Sequence, residues 1–125
     1  MCVDNSEKEG CLTVLVNTDY SRISIHKRTL KALGDPIFIQ LGYNPDKRLL
    51  LLFRAEKPSQ NTIRIRLCQN GSCYIYSKSF IEGLIIVSGA FKEAGTYLLK
   101  GKMHKHLAAA FFSLDKAEKA NDSTD

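Results

Sequence analysis

The sequence predicts an α+β protein: two βαββ halves in a pseudo-two-fold, forming a double-hairpin β-barrel or sheet with short helices. Three observations lead there. Apolar spacing switches from the strand period to the helical period twice, near His26 and near Ser77. Turn residues at 44–47 (NPDK) and 69–72 (QNGS) carry the marks of tight hairpin turns. The order of elements in the first half then recurs in the second, with "RISIHKRTLKALG" opposite "CYIYSKSFIEGLI", Lys27 opposite Lys78 and Leu30 opposite Ile81.

Each element has a local reason. "CLTVLVN" (11–17) is rich in β-formers and predicts a first strand, and "NTDYS" turns the chain. "RISI" alternates, so Ile23 and Ile25 share one face and Arg22 and Ser24 the other. From His26 onward Leu30 and Leu33 are spaced as on a helix face, with Lys27, Arg28 and Lys31 on the remaining sides. Gly34 suits the C-terminal cap, and Pro36 forbids continuation. "IFIQLGY" (37–43) and "RLLLLFR" (48–54) read as a hairpin, the leucine run suggesting burial on both faces. "AEKPSQN" (55–61) is a polar internal linker broken by Pro58.

In "TIRIRL", Ile63, Ile65 and Leu67 are expected inward and Arg64 and Arg66 outward. "CYIYS" is a strand, and a helix over 77–87 turns Phe80, Ile81 and Leu84 to the core. "TYLLKGK" and "LAAAFFSLD" make the last hairpin, with its turn expected within 100–106. The division is therefore 11–57 for the first half and 62–115 for the second, with 1–10 and 116–125 expected as flexible termini.

A chain of 125 residues and 14.0 kDa, 44% hydrophobic and 25% charged, belongs to the globular class and can hold one compact domain or two small halves sharing a core. At this length roughly two-thirds of the unfolded surface is buried on folding, so neither metal nor disulfide is needed. The start, "MCVDNSEKEG", lacks a basic region followed by an apolar run, and "LLLLF" and "LAAAFF" are too short to span a bilayer. A soluble, cytoplasmic protein without membrane contact is expected.

Charge is unevenly spread. Of the net +5, residues 1–10 contribute −2 and residues 116–125 contribute −1, which leaves +8 on residues 11–115. A body of that sign attracts polyanions, nucleic acid above all; the competing reading is a lysine-rich solvated surface.

The four cysteines, Cys2, Cys11, Cys68 and Cys73, do not form a zinc pattern, because Cys68-x4-Cys73 is wider than the usual Cys-x2-Cys knuckle. They are expected reduced and structural. His104-x-His106 would point two imidazoles the same way on a strand, but Lys102 and Lys105 beside them disfavour a cation, so no metal and no cofactor are expected. The seven acids of residues 11–115 are scattered, and none pairs with a histidine at catalytic spacing. "GKMHK" lacks the spacing of a phosphate-binding loop. No enzymatic activity is expected.

The run Ile23-Ser24-Ile25, Lys27, Leu30, Leu33-Gly34, Pro36, Ile39, Leu41, Asn44 and Leu49 to Leu52 resembles the AbrB/SpoVT-type swapped-hairpin module. The resemblance covers about residues 20–54 and, more faintly, 73–115; a tandem arrangement is similar to the MraZ branch. Ile25-His26 stands where the family usually has Ile-Pro, Thr29 replaces its acidic helix residue, and Asp35-Pro36 replaces a longer Lys-Pro-Gly-Asp connection. The resemblance implies a small cytoplasmic transcription regulator that binds double-stranded DNA as a homodimer or higher homo-oligomer. The positions matching the family's DNA-contacting residues are Arg22, Lys27 and Arg28, expected to face outward as one cationic edge. Strand alternation adds Arg64 and Arg66, and the repeat adds Lys78. The alternative is a non-enzymatic protein-interaction or oligomerising module without DNA binding, including an antitoxin-like one, although the tail of about ten residues offers little apolar anchor for a toxin.

Overall fold

Alternating apolar side chains build the sheet of the computed structural model, which describes residues 12–89 and 91–120. The elements are β1 (Leu12–Asn17), β2 (Arg22–Ile25), α1 (Lys27–Ala32), β3 (Phe38–Asn44), β4 (Leu49–Ala55), β5 (Ile63–Arg64), β6 (Cys73–Tyr76), α2 (Lys78–Ser88), β7 (Thr96–His104), β8 (Ala109–Ser113) and β9 (Glu118–Lys119). The fold is α+β: the order β5-β3-β4-β8-β7-β1-β2-β6 forms a curled antiparallel half-barrel, with β9 added beside β7. Leu12, Val14 and Val16 of β1 face the same interior as Ile23 and Ile25 of β2 and Cys73 and Ile75 of β6. The registers agree, since Val14 lies opposite Ile25, Ile25 opposite Cys73, and Ile23 opposite Ile75. Leu50, Leu52, Leu99, Phe112 and Leu114 extend this core across the other hairpins.

Helix α1 is short and is secured at both ends. The His26 Nδ1 accepts the Arg28 N–H at 3.1 Å, which caps the N-terminus. The Thr29 hydroxyl donates to the Thr13 carbonyl at 3.0 Å and ties the helix to β1. Leu30 and Leu33 bury the apolar face. At the C-terminus the Gly34 N–H donates to the Lys31 carbonyl at 2.9 Å and the Asp35 N–H to the Leu30 carbonyl at 2.8 Å, the paired bonds of a Schellman end. Gly34 has φ +87° and Asp35 φ +50°. Arg54, at the end of β4, completes the cap by donating from Nη1 to the Leu33 and Gly34 carbonyls, both at 3.0 Å. The cationic side chain thus meets the negative end of the helix.

Several expectations are revised. Only Ile63 and Arg64 of "TIRIRL" are strand, because the Ile65 N–H reaches the Ile37 carbonyl at 2.8 Å and the chain then crosses to β6, where Leu67 bridges Cys73. In that crossing the alternation is lost and Leu67 turns outward, 63% exposed. The leucine run of β4 buries only Leu50 and Leu52; Leu49 and Leu51 lie half-buried on the outer face. The second hairpin turns at 105–108, since β7 continues to His104 in register with β8, and Ala108 reverses the chain with φ +50°. His104 stacks on Phe111 at 4.1 Å while His106 lies in the 3-10 turn, so the two imidazoles do not share a strand face.

The tail is not frayed over residues 118–120. Leu98 pairs with Glu118 and Tyr97 with Lys119, and the Ala120 N–H donates to the Thr96 carbonyl at 2.7 Å. Lys119 also meets Glu93 at 2.7 Å, which lowers the Glu93 carboxyl below its ordinary range. The flexible-terminus expectations for 1–10 and for 121–125, and Cys2 and Cys11, lie outside the described residues.

A prediction follows at Gly34. A side chain there is strained at positive φ, and its Cβ would fall 2.1 Å from the Arg54 Nη1 that caps the helix. Gly34→Val is expected to destabilise the protein by about 1 kcal/mol or more. Chemical denaturation checks it; an unchanged midpoint would show that the cap contributes nothing.

Candidate nucleic-acid interface

The basic residues singled out in the sequence fall around the β2–β6 ladder. The two strands are antiparallel, and each runs directly into a helix, so α1 and α2 start at opposite ends of the ladder. Lys27 and Arg28 open α1 and are exposed; Lys78 opens α2 and is exposed. Arg22 pairs with Tyr76, and the Ser77 N–H donates to the Ser21 carbonyl at 2.9 Å, which sets Arg22 at the Lys78 end. Arg22, Lys27 and Arg28, expected as one cationic edge, therefore do not make one. Arg22 stands about 10 Å along the strand from the start of α1. Arg64 and Arg66 are exposed on the segment that crosses from β3 to β6. That segment approaches Lys27, which shares a shallow groove with Ile65, Leu67 and Gly71.

Arg22 is held more firmly than a solvated cation. Its guanidinium carbon lies 5.6 Å from the Tyr20 ring and 5.0 Å from the Tyr74 ring, and its Nε is buried without a hydrogen-bond partner. Tyr20 is placed by a chain of bonds: its N–H donates to the Asn17 Oδ1 at 2.8 Å, and the Asn17 Nδ2 donates to the Thr96 hydroxyl at 2.8 Å. Tyr20, Tyr74 and Tyr76 are 67%, 42% and 64% exposed. Sequence reasoning passed over these tyrosines. The signal was there in the alternation of Cys73, Tyr74, Ile75 and Tyr76, which buries the first and third and presents the second and fourth.

The outer surface thus combines cations at both ends of a ladder with aromatic rings along it. Such a surface suits phosphates and π-faces together. Among the described residues no group of three or more His, Cys, Asp or Glu could hold a metal ion. Cys68 is exposed and Cys73 buried, and burial pushes the Cys73 thiol up. No helix of the described residues is long and apolar enough to cross a membrane. Comparison with protein-family models, with curated proteins and with solved structures gives no match to this chain.

Two predictions arise here. Arg22→Ala removes two cation–π contacts worth about 0.5–1 kcal/mol each and should cost about 1 kcal/mol or more in a urea titration. Lys27→Ala and Arg28→Ala, at exposed positions, should stay within about 0.5 kcal/mol. Equal costs at all three would mean that the tyrosines do not hold Arg22. Alkylation of the native protein by iodoacetamide, read by peptide mass mapping, should modify Cys68 and spare Cys73 until denaturant is added, because the buried thiol ionises reluctantly.

Proposed function

We propose that the protein is a small, non-enzymatic DNA-binding regulator that contacts duplex phosphates from the two ends of the β2–β6 ladder. The observation that carries this is the antiparallel placement of two strands that each lead into a helix with basic residues in its first turn, Lys27 and Arg28 on α1 and Lys78 on α2. Four ladder pairs separate these helix starts by about 10 Å or more, on the scale of the roughly 12 Å major groove. Duplex DNA has two-fold axes of its own, so two cation groups related by a local dyad can meet its two backbones alike.

On the same reading the chain is two βαββ halves in a pseudo-two-fold. Exchanging β1–β4 for β5–β8 leaves the cyclic strand order unchanged once the Leu67–Cys73 bridge joins the segment after β5 to β6. His26 and Ser77 are matching N-caps, whose side chains accept from the N–H of Arg28 and Phe80. Leu30 and Leu33 of α1 match Ile81 and Leu84 of α2 in burial. One offset breaks the match: β2 buries Ile25 next to its cap, whereas β6 leaves Tyr76 exposed there. These features support the tandem AbrB/MraZ-like reading, and with it a cytoplasmic homodimer or higher homo-oligomer.

A second reading has its own observation. Leu51 and Phe111 face each other across β4 and β8 on the outer side of the sheet, with Phe53 beside them, all half-buried. An apolar row of that kind favours an oligomerising or protein-interaction module.

Salt dependence separates the two. Each phosphate contact contributes about 0.9 to the slope of log K against log salt, so replacing Lys27, Arg28 and Lys78 together by Ala should flatten the slope for duplex DNA by about 2 to 3 units. Fluorescence anisotropy across a salt series measures it. Affinity that does not change with salt, in a protein that light scattering shows to be oligomeric, would overturn the DNA reading in favour of the second.

A further inference from the structure

An open groove of about 270 Å³ runs along the outer face of β1, β2 and β6 beside Tyr74. Leu15 and Leu98, opposite each other across β1 and β7, supply its apolar floor. Ser24 lies between Leu15 and Tyr74 in the same cross-strand row. His26 and Asn70 also line it, and their hydrogen bonds determine what they present. The His26 Nδ1 accepts from the Arg28 N–H, which puts the proton of the neutral imidazole on Nε2. The Asn70 Oδ1 accepts from the Ser72 N–H at 2.9 Å, so the side-chain amide keeps its two donors. An aromatic wall, an apolar floor and a rim of donors make a slot for a flat ring with acceptors on its edge. The volume falls just below the ~300–1,000 Å³ of sites for drug-sized ligands, which suits a single base.

Charge and spacing extend the argument beyond a lone base. Arg22 lies against the same Tyr74 ring, its guanidinium carbon 5.0 Å from the centroid. Tyr76 follows two residues on along the same face, about 7 Å away. That is twice the 3.4 Å rise between stacked bases, so the two rings match a strand whose bases are splayed rather than stacked. Paired bases in a duplex offer no free π-face. The body of the protein, +8 over residues 11–115, attracts polyanions.

We propose that this groove binds an unpaired nucleobase of a single-stranded nucleic acid, with Tyr74 as the stacking platform, Tyr76 carrying the next base and Arg22 facing the backbone between them. The inference rests on the nucleic-acid reading above but concerns strands that are open, where that reading concerns duplex phosphates.

The test measures binding of a fluorescein-labelled oligothymidylate and of a duplex of equal length to the full chain. Tyr74→Ala should weaken single-strand binding by about 5- to 150-fold and leave duplex binding unchanged, while Tyr74→Phe, which keeps the ring, should retain both. Because the chain has five tyrosines and no tryptophan, intrinsic tyrosine fluorescence gives a second readout on the wild type. It should be quenched by the oligothymidylate and not by the duplex, whether or not the variant folds. Unchanged single-strand affinity in a folded Tyr74→Ala protein would overturn the inference, as would equal losses on both probes or absence of selective quenching. Thymidine monophosphate competing at the same nucleotide concentration would overturn the strand as ligand. Salt-dependent duplex binding without single-strand preference defeats this inference alone; single-strand binding without duplex binding defeats the duplex reading alone.

Discussion

Gly101 is the position on which the shape of the sheet depends. Strand β7 pairs with β1 over Thr96–Gly101 and with β8 over Gly101–His104, so Gly101 belongs to both ladders. A Cβ there would sit 2.1 Å from the Phe111 carbonyl oxygen and 2.6 Å from Phe112 Cδ2. The two strands approach so closely here that only hydrogen fits between them. Phe112, whose ring fills the space beside Gly101, is fully buried opposite Leu50.

The same curl decides what the outer surface carries. By bringing β1, β2 and β6 side by side with their aliphatic residues inward, it turns Leu15, Arg22, Ser24, Tyr74 and Tyr76 to one face. The two helices are held at the ends of this ladder by unlike means. Serine caps α2 and histidine caps α1, and the C-terminus of α1 leans on Arg54, itself ion-paired with Glu56 at 2.6 Å. The C-terminus of α2 is met by Arg48, which donates to the Ser88 carbonyl and pairs with Asp115. Two arginines at the ends of the first hairpin's second strand thereby anchor both helices to the sheet. Each meets a helix end where the macrodipole favours a cation.

Arg22 shows how a residue can serve stability and surface chemistry together. Caged between Tyr20 and Tyr74, it loses much of the rotamer freedom that a solvated arginine would lose only on binding. Its Nε is enclosed by these neighbours and has no hydrogen-bond partner, so the caging rests on the aromatic rings rather than on polar bonds. Lys27, Arg28 and Lys78 stay exposed, the two lysines as compact ammonium charges and Arg28 as a solvated planar guanidinium.

Local pattern in the chain was enough for the first hairpins, both helices and most of their inward faces. Period-2 spacing at Ile23 and Ile25, helical spacing at Leu30 and Leu33, and turn chemistry at Asn44 and at Asn70-Gly71 are local signals, and each element stands where they point. Arg22, Lys27, Arg28 and Lys78 were legible as surface cations for the same reason. Their distribution had to wait for the folded chain, because the β2–β6 register joins residues about fifty positions apart and sends the two helices to opposite ends. The fold alone separated Arg22 from Lys27, turned Leu67 out where the chain crosses between strands, and recruited residues 118–120 to β7. The Tyr74 groove is likewise assembled from three strands and a turn, and contacts of such sequence separation leave no periodic trace in the chain.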